Sequence, residues 1–397
     1  MIEISKALKL IDGHTFALGS EKIDLANAVS RVLAEDIVAD SDLPPFDRSQ
    51  MDGYAVVAAD TISVPVTLKI VGESAAGRGW HKSIKSGEAV RIMTGAPVPD
   101  GADAVQKVEV TTESDGAVEI LKPAGTGQSI IQKGAEITKG STIFKTGEAI
   151  TENMIAAFAA FGYAKVRVAK SPRVAIVGTG SEIVEITKKP GRDQIRNSNS
   201  VMLDVFCRRF GSQTEIRAIV KDDISNLKFE IKKTVETSDI VVLTGGVSVG
   251  KYDHTKTALT ELGAEIFFEK IRLKPGKPAV FAKLGKTLVF GLPGNPVSAA
   301  VTFHLFVRKA ILKMQGAAST DLRKGHAILA NEVKAAKDRD TYLPSRLESN
   351  ELGQLVAHPL KWQGSSDFIG YATAGSLIFV PRGQTLAAGE VAEIAHL

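Results

Sequence analysis

Cysteine is nearly absent from this sequence: Cys207 is the only one among 397 residues. One cysteine excludes an internal disulfide and a zinc site built from cysteines. Cys207 follows Val205 and Phe206 in an apolar stretch, so we expect a buried structural thiol rather than a nucleophile. The scarcity of cysteine is typical of the reducing cytoplasm, where we expect the protein to work.

Long apolar runs and strong charge are also missing. No stretch approaches the ~18 apolar residues of a membrane helix, so no membrane partner is expected. The formal net charge is only +4 and no Lys/Arg run occurs, so nucleic acid is not an implied partner. The composition still allows a basic pocket that binds a small anion. The first residues predict an amphipathic helix with Ile4, Leu8 and Ile11 on one side, not a signal peptide.

The length of the chain predicts two to four domains. We expect a helix-rich linking domain formed by residues 1–42 and 148–170, in which the second helical piece returns to pack on the first. Short apolar runs separated by Gly and Pro predict an inserted β-rich domain over residues 43–147. Residues 319–397 show the same texture and predict a C-terminal, barrel-like β domain.

Residues 171–318 differ from the rest because strands alternate with helices. This alternation predicts βαβ units and a largely parallel sheet covered on both faces. Ligands of such sheets bind beyond the carboxyl ends of the strands. Five loops are expected at that edge, and they carry Thr179, Gly180, Glu182, Asp223, Gly245, Gly246, Ser248, Gly250, Asp253, Lys274, Lys277, Pro293, Asn295 and Pro296.

Glycines, carboxylates and lysines in these loops indicate a site for a phosphate with Mg²⁺. Each feature also has an ordinary interpretation. A Gly-Gly pair after a strand is commonly just a turn. Glu182 and Asp223 could be solvated acids or helix caps, and the two lysines could lie on the surface. Pro296 could simply begin a helix. In the β-rich insert, Asp52 and Thr94 lie in Gly/Pro turns and are weak signals when taken alone.

Seven motifs in this order resemble those of the MoeA family of molybdopterin molybdenumtransferases, which includes the E domain of gephyrin. They are PPFDRSQMDGYAV, IMTGAPVPDGADAVQKVE, VGTGSEIV, IRNSNSVML, LTGGVSVGKYDHTK, LKPGKPAVFAKL and GLPGNPVSAAVTF. The resemblance implies a four-domain subunit, a homodimer and a molybdopterin-binding α/β domain at 171–318. It also implies that the protein inserts molybdate into adenylylated molybdopterin, with Mg²⁺-dependent cleavage of the phosphoanhydride and release of AMP and molybdenum cofactor.

The resemblance implies functional roles for individual residues. The catalytic residues would be Asp52, Thr94, Glu182, Asp223 and Asp253. Glu182, Asp223 and Asp253 would hold the metal, with Asp253 the strongest candidate. Binding roles fall to the remaining loop residues named above, to Ser298 and to Arg346 in TYLPSRL. Asp52 and Thr94 would face the α/β cleft of the other subunit, and Lys256 would be a helix-surface lysine. Ser181 departs from the family pattern, since many members carry Asp there.

Two other functions stay open: a paralogue that inserts tungstate, and a non-catalytic molybdopterin-binding or scaffold protein. The presence of all five expected catalytic residues, four acids and the hydroxyl of Thr94, argues against pure scaffolding. The sequence has neither GxxxxGK[ST] nor GxGxxG, so P-loop and Rossmann enzymes are not expected. An upstream adenylyltransferase and downstream molybdoenzyme chaperones are conceivable protein partners.

Overall fold

The computed structural model describes residues 1–221, 223–246, 254–360 and 364–397. Two compact units divide the chain. Unit 1 comprises Met1–Glu35, Thr146–Ile155 and Lys165–Leu397. Unit 2 comprises Asp36–Lys145 and Ala156–Ala164. The finer domain boundaries expected from the sequence stay predictions.

The helices are α1 (Ile4–His14), α2 (Ile155–Ala160), α3 (Ser198–Arg209), α4 (Ile224–Val235), α5 (His254–Glu261), α6 (Pro296–Thr302), α7 (Arg308–Met314) and α8 (Phe368–Tyr371). A π-helical turn, Phe303–Val307, joins α6 to α7. Short 3-10 turns lie at Leu25–Asn27, Ala58–Thr61, Val108–Val110 and Glu152–Met154.

The strands are β1 (Ser20–Asp24), β2 (Ile37–Val38), β3 (Arg48–Ser49), β4 (Gly53–Val56), β5 (Val66–Ser74), β6 (Glu88–Ile92), β7 (Ala104–Lys107), β8 (Thr111–Ser114), β9 (Ala117–Ile120), β10 (Ile130–Ile131), β11 (Thr142–Phe144), β12 (Lys165–Ala169), β13 (Arg173–Gly178), β14 (Ile183–Val184), β15 (Ile195–Arg196), β16 (Gln213–Ile216), β17 (Ile240–Thr244), β18 (Glu265–Phe268), β19 (Leu273–Lys274), β20 (Val280–Leu284), β21 (Thr287–Leu292), β22 (Lys324–Leu329), β23 (Val333–Lys334), β24 (Asp340–Ser349), β25 (Leu355–Pro359), β26 (Ser376–Val380), β27 (Thr385–Leu386) and β28 (Val391–His396).

The α/β part of unit 1 is a six-stranded sheet in the order β16-β13-β17-β21-β20-β18. The first four strands are parallel, and β20 and β18 each run antiparallel to their neighbours. All five residues of β17 are buried, as expected of a strand covered on both faces. One core contains apolar residues of α3, α6 and α7, and the other contains those of α4 and α5.

Two details of this sheet differ from the sequence-based expectation. The stretch VFAKLGKTLVF forms an antiparallel hairpin of β20 and β21 with no helix between the two strands, so it departs from the alternation. Gly285 allows the tight turn because its φ is +62°. Strand β18 ends at Phe268, and the following Leu273–Lys274 pairs with β24 of the C-terminal sheet and not with the α/β sheet. The sheet is therefore less parallel than alternation alone suggested.

Helix α1 packs into the core of the α/β region. Ile4, Ala7 and Ile11 are buried there with Cys207, which is the structural thiol that the sequence predicts. Burial raises the pKa of the Cys207 thiol well above its usual range. Helix α2 instead places Phe158 against Phe144 within unit 2. Strand β12 pairs antiparallel with β1, so residues 165–169 return to the N-terminal segment, and the packing of the second helical piece on the first stays a prediction.

Unit 2 is a mostly antiparallel β structure built on a six-stranded sheet in the order β7-β4-β6-β5-β9-β8. Tyr54 and Val56 of β4 enter one core, and Ala55 between them enters another. The C-terminal sheet of unit 1 runs β19-β24-β25-β22-β28-β26, and a further β24–β26 pairing closes it into a barrel-like ring. The predicted combination of parallel α/β sheet, inserted β region and C-terminal β domain is confirmed.

Candidate functional site

A cavity of about 650 Å³, hereafter the first cavity, lies at the carboxyl edge of the parallel strands. Thr179, Thr244 and Gly245 line it from the ends of β13 and β17. The helix α3 begins at its wall, because Ser198 and Asn199 are the first two residues of that helix. A helix N-terminus favours negative charge, so this end of the cavity suits a phosphate.

The backbone of Gly245 and Gly246 lies close to Thr179, at the end of the neighbouring strand β13. Their φ angles are +93° and +65°, a region that other residues rarely adopt. A Cβ on Gly245 would lie 2.2 Å from the carbonyl oxygen of Thr179. The N–H of Gly245 donates to the carbonyl of Leu292 at 3.2 Å and is therefore engaged within the sheet. The pair is needed for close approach of the strands, whatever ligand the cavity takes.

The loop after β13 brings a carboxylate to the first cavity. Gly180 has a φ of +144°, and a Cβ there would lie 2.5 Å from Oε2 of Glu182, so this carboxylate folds back over the glycine. Glu182 itself lines the cavity. Beside it, the buried hydroxyl of Thr179 has no hydrogen-bond partner among the described residues. A ligand group is one way to satisfy it.

Asp223 occupies a different position from Glu182. Its carboxylate accepts hydrogen bonds from the backbone N–H of Ser225 at 2.8 Å and from Asn226, and thereby caps α4. It is not among the described residues that line the cavities. Of the other predicted residues, Ser248, Gly250 and Asp253 lie outside the described residues. Whether Asp223 and Asp253 act on a metal stays a prediction.

Asparagines in IRNSNSVML form part of the site although we assigned them no role from the sequence. Asn197 caps α3 by accepting from the N–H of Ser200 at 3.1 Å. The Nδ2 of Asn199 donates to the carbonyl of Gly294 at 2.8 Å, which fixes its amide orientation because a flipped amide would oppose two oxygens. Asn199 thus joins α3 to the loop after β21. The Asn-Ser-Asn run at a strand-to-helix junction was the available signal.

A second cavity, of about 520 Å³, lies next to the first. Lys274, Lys277 and Arg339 line it. Asn295 lines both cavities and Pro296 the first, while Pro293 and Ser298 line the second. The structure therefore brings together most of the predicted binding residues at one edge of the sheet, in two adjoining cavities of different charge.

Arg339 lines the second cavity, and the predicted binding role of Arg346 stays a prediction. Arg339 pairs with Asp338 at 3.2 Å while lining the cavity. Arg346 lies on β24 and pairs with Glu348 at 2.9 Å, outside the described lining of both cavities. Arg339 lies directly before β24, whereas Arg346 lies within that strand. The sequence around TYLPSRL does not by itself indicate which arginine lines a cavity.

Asp52 and Thr94 form a pair within unit 2. The backbone N–H of Thr94 donates to Oδ1 of Asp52 at 2.7 Å, and its hydroxyl donates to the same oxygen at 2.9 Å. These bonds, the N–H first, hold the pKa of Asp52 below its usual range. Gly53 beside the pair lies against β7, where a Cβ would meet the carbonyl oxygen of Gln106 at 2.0 Å. Two weak signals from the sequence thus belong to one local arrangement.

The donor set of the first cavity suits a shared Mg²⁺ better than a metal cage. Within the part of the chain that the structure describes, no three His, Cys, Asp or Glu side chains are grouped to hold a metal. Mg²⁺ commonly takes one or two carboxylates and completes its shell with water and substrate phosphates. Glu182 can supply such a carboxylate next to the N-terminus of α3.

Lys256, in the motif after β17, takes no part in either described lining. It pairs with Glu269 at 2.5 Å on the surface of α5, as expected for a helix-surface lysine.

In the described residues, no helix is long and apolar enough to cross a membrane.

Three family models match consecutive parts of the chain. They describe the MoeA N-terminal region (domains I and II) at residues 2–162, a probable molybdopterin-binding domain at 175–313 and the MoeA C-terminal region (domain IV) at 326–397. The molybdopterin molybdenumtransferase of Staphylococcus aureus is 33% identical over 386 residues, covering 96% of this chain and 92% of that protein. The chain belongs to the MoeA family.

Other members support this assignment. A molybdopterin molybdenumtransferase of Staphylococcus epidermidis is 31% identical and covers 99% of this chain and 95% of its own length. The crystal structure of a MoeA protein from Pyrococcus horikoshii superposes with a TM-score of 0.86 at 30% identity and covers 100% of both chains. The predicted family, fold class and enzyme class are confirmed, and the chain belongs to molybdenum cofactor biosynthesis.

Proposed function

We propose that this protein inserts molybdate into adenylylated molybdopterin, cleaves the adenylyl phosphoanhydride with the help of Mg²⁺, and releases AMP. The observation that carries the proposal is the pair of adjoining cavities that share Asn295. One has a carboxylate and a helix N-terminus for a phosphorylated ligand. The other has three cationic side chains for a small oxyanion.

The chemistry requires an oxygen nucleophile, from molybdate or from water, to attack the adenylyl phosphorus. When water attacks, the P–O bond to the bridging oxygen breaks, AMP leaves with the oxygen of that water, and the bridging oxygen stays on the pterin phosphate. When molybdate attacks, the same bond breaks but the product is a molybdate–AMP anhydride, which water then cleaves to release AMP and molybdate. Lys274, Lys277 and Arg339 hold the oxyanion by charge. Asn199 and Ser198 position the phosphates at the first turn of α3. Mg²⁺ held by the carboxylates described below would supply positive charge for cleavage of the phosphoanhydride.

Glu182 supplies the described carboxylate for Mg²⁺ in this proposal. Asp223 adds a second, with its capping bonds holding its orientation. Asp253, the third proposed ligand, lies outside the described residues. An ionised carboxylate has about four acceptor sites, and Asp223 uses three of them for N–H groups, so the remaining site on Oδ2 can bind a hard cation.

Incubation with adenylylated molybdopterin, Mg²⁺ and either molybdate or tungstate tests the proposal. We expect stoichiometric AMP and incorporated molybdenum, and EDTA should abolish both. Incorporation with tungstate alone would identify the tungsten-inserting paralogue. Binding of the pterin without AMP release in any arm would contradict the proposal and favour a binding protein.

A homodimer with shared sites is also part of the proposal. If Asp52 serves the other subunit, Asp52→Asn and Glu182→Gln enzymes should each be inactive, whereas mixed dimers of the two should regain activity. One cavity of each mixed dimer would then have both wild-type residues. If activity does not recover after verified subunit exchange, Asp52 acts in its own subunit or takes no part in the reaction.

A further inference from the structure

A segment of the C-terminal region forms one wall between the two cavities. Gly364 and Ser365 line the second cavity, whereas Ser366 and Phe368 line the first. The carbonyl of Ser365 accepts the N–H of Val297 in the first turn of α6 at 3.1 Å. Its hydroxyl accepts Nδ2 of Asn295 at 2.7 Å. The segment is thus attached to the α/β region at the point that the cavities share.

The far end of the segment is also anchored. Asp367 caps α8 by accepting the N–H of Gly370 at 3.0 Å. Tyr371, one turn after Phe368, packs against the main core of the α/β region. Burial raises the pKa of its phenol well above its usual range. The position of Phe368 between these anchors is therefore defined by contacts on both sides.

Phe368 nonetheless leaves 48% of its surface exposed while lining the first cavity. Its ring stacks on no other aromatic ring among the described residues. The neighbouring Ile369 is 72% exposed and is absent from the described cavity lining, so it represents an ordinary surface residue. A large aromatic ring held by its neighbours but open toward a cavity is typical of a ligand-binding surface.

We propose that Phe368 is the surface on which the flat fused heterocycle of the ligand stacks. This inference rests on the proposed function, which requires a ligand with phosphates and with two such ring systems, a purine and a pterin. Ser198 and Asn199 form the end of the first cavity that would bind phosphate. Ile183 and Ile195 also line this cavity and offer apolar contacts to a ring. Phe368 thus makes the C-terminal region contribute to ligand selection.

Calorimetric titration of the full chain with AMP, 6-hydroxymethylpterin and ribose 5-phosphate tests the inference. We expect Phe368→Ala to weaken binding of at least one ring-bearing ligand by ~10-fold, because stacking of a base on an aromatic ring is commonly of that strength. The affected ligand identifies which ring lies there. Ribose 5-phosphate, which has no base, should bind equally to both proteins.

Three further variants separate stacking from structural effects. Phe368→Tyr should restore affinity, because the ring is retained, whereas Phe368→Leu should not, although it retains apolar bulk. Ile369→Ala should match the wild type in both affinity and thermal unfolding. Equal binding of AMP and pterin by wild type and Phe368→Leu would overturn the inference, as would failure of the wild type to bind either ring ligand.

The outcomes distinguish this inference from the proposed function. A wild-type enzyme that releases AMP from adenylylated molybdopterin, with variants that bind both rings unchanged, would overturn only the role of Phe368. Ring-dependent binding by a protein that releases no AMP would keep the role of Phe368 and contradict the proposed reaction.

Discussion

The two cavities at the carboxyl edge of the sheet differ in the charge that they present. The first combines Glu182 with asparagine, serine and apolar side chains, whereas Lys274, Lys277 and Arg339 dominate the second. The difference indicates a division of labour. A ligand with its own phosphates and a shared metal can tolerate a carboxylate, but a bare oxyanion needs an excess of positive charge, which the two lysines supply beside the Arg339–Asp338 pair. Asn295 lines both cavities and therefore lies where the phosphorylated ligand and the oxyanion would meet.

The largest effect is expected from Gly245→Ala, which should collapse the first cavity and leave the second intact. The new Cβ would lie 2.2 Å from the carbonyl of Thr179 at a φ of +93°. We expect the free energy of unfolding to fall by ~3 kcal/mol and AMP binding to be lost. Chemical denaturation and calorimetry measure both.

Gly294→Ala is the matched control because Gly294 also lines the first cavity. Its Cβ would meet only Cα of Gly245, at an ordinary 3.6 Å. We expect a change in stability below ~1 kcal/mol. Similar destabilisation by both substitutions would show that the close contact of Gly245 with Thr179 is not what shapes the cavity.

The double substitution Lys274→Gln/Lys277→Gln should impair the second cavity alone. Each charge-assisted contact contributes about 1.5–3 kcal/mol, so molybdate affinity should fall by ~100-fold or more. AMP affinity should stay within about twofold of the wild type. Equilibrium dialysis with molybdate and calorimetry with AMP measure the two.

Lys256→Gln is the control for loss of a lysine charge, since Lys256 pairs with Glu269 outside the described linings. Its molybdate affinity should be unchanged. If it weakens molybdate binding as much as the double substitution does, overall charge and not the second cavity attracts the anion.

The two described carboxylates proposed to hold Mg²⁺ differ in position, because Glu182 lines the first cavity and Asp223 caps α4. Glu182→Gln should lower Mg²⁺-dependent AMP release by ~100-fold with little change in unfolding, because it removes charge from a cavity wall. Asp223→Asn should lower AMP release while keeping the cap of α4, because asparagine caps helices as well as aspartate. Single-turnover assays over a range of Mg²⁺ measure the effect.

Asp223→Ala provides the structural reference, with an expected loss of ~1 kcal/mol from the missing cap. Wild-type AMP release by Asp223→Asn would leave Asp223 as a helix cap only. Wild-type release by Glu182→Gln at limiting Mg²⁺ would remove Glu182 from the proposed metal site.

The smallest effect concerns the Asp52–Thr94 pair of unit 2. There, hydrogen bonds from Thr94 stabilise the ionised carboxylate of Asp52. Thr94→Val removes the hydroxyl bond but keeps the N–H bond, which is the larger cause of the lowered pKa. The pKa of Asp52 should therefore rise only part of the way to its usual value. The contribution of the pair to stability is present at neutral pH and is lost as pH falls through the lowered pKa.

Carboxyl ¹³C shifts during an NMR titration measure this change. Thr94→Ser should retain the low pKa, because it keeps both donors. A pKa of Asp52 that is unchanged in Thr94→Val would mean that the hydroxyl does not contribute, and that the backbone alone holds the carboxylate ionised.

Sequence reasoning located the strand-end loops because alternating strands and helices require that parallel strands end at one edge. It located Glu182, Lys274 and Lys277 at that edge for the same reason. It missed Arg339 and Phe368, because the part of the C-terminal region that lies against the cavities depends on contacts between segments distant in sequence. It missed Asn199 because an asparagine at a helix start is usually only a cap.

By itself, the sequence determined the α/β alternation, the buried cysteine, the glycines after β17 and, through its motifs, the MoeA family. These follow from local periodicity, backbone preference and the order of residues along one segment. Tertiary structure decided that Asp223 caps a helix while Glu182 reaches the cavity, and that the lysines and the first cavity are separate. Such choices depend on close approach between residues that are distant in sequence, as where Ser365 meets Asn295.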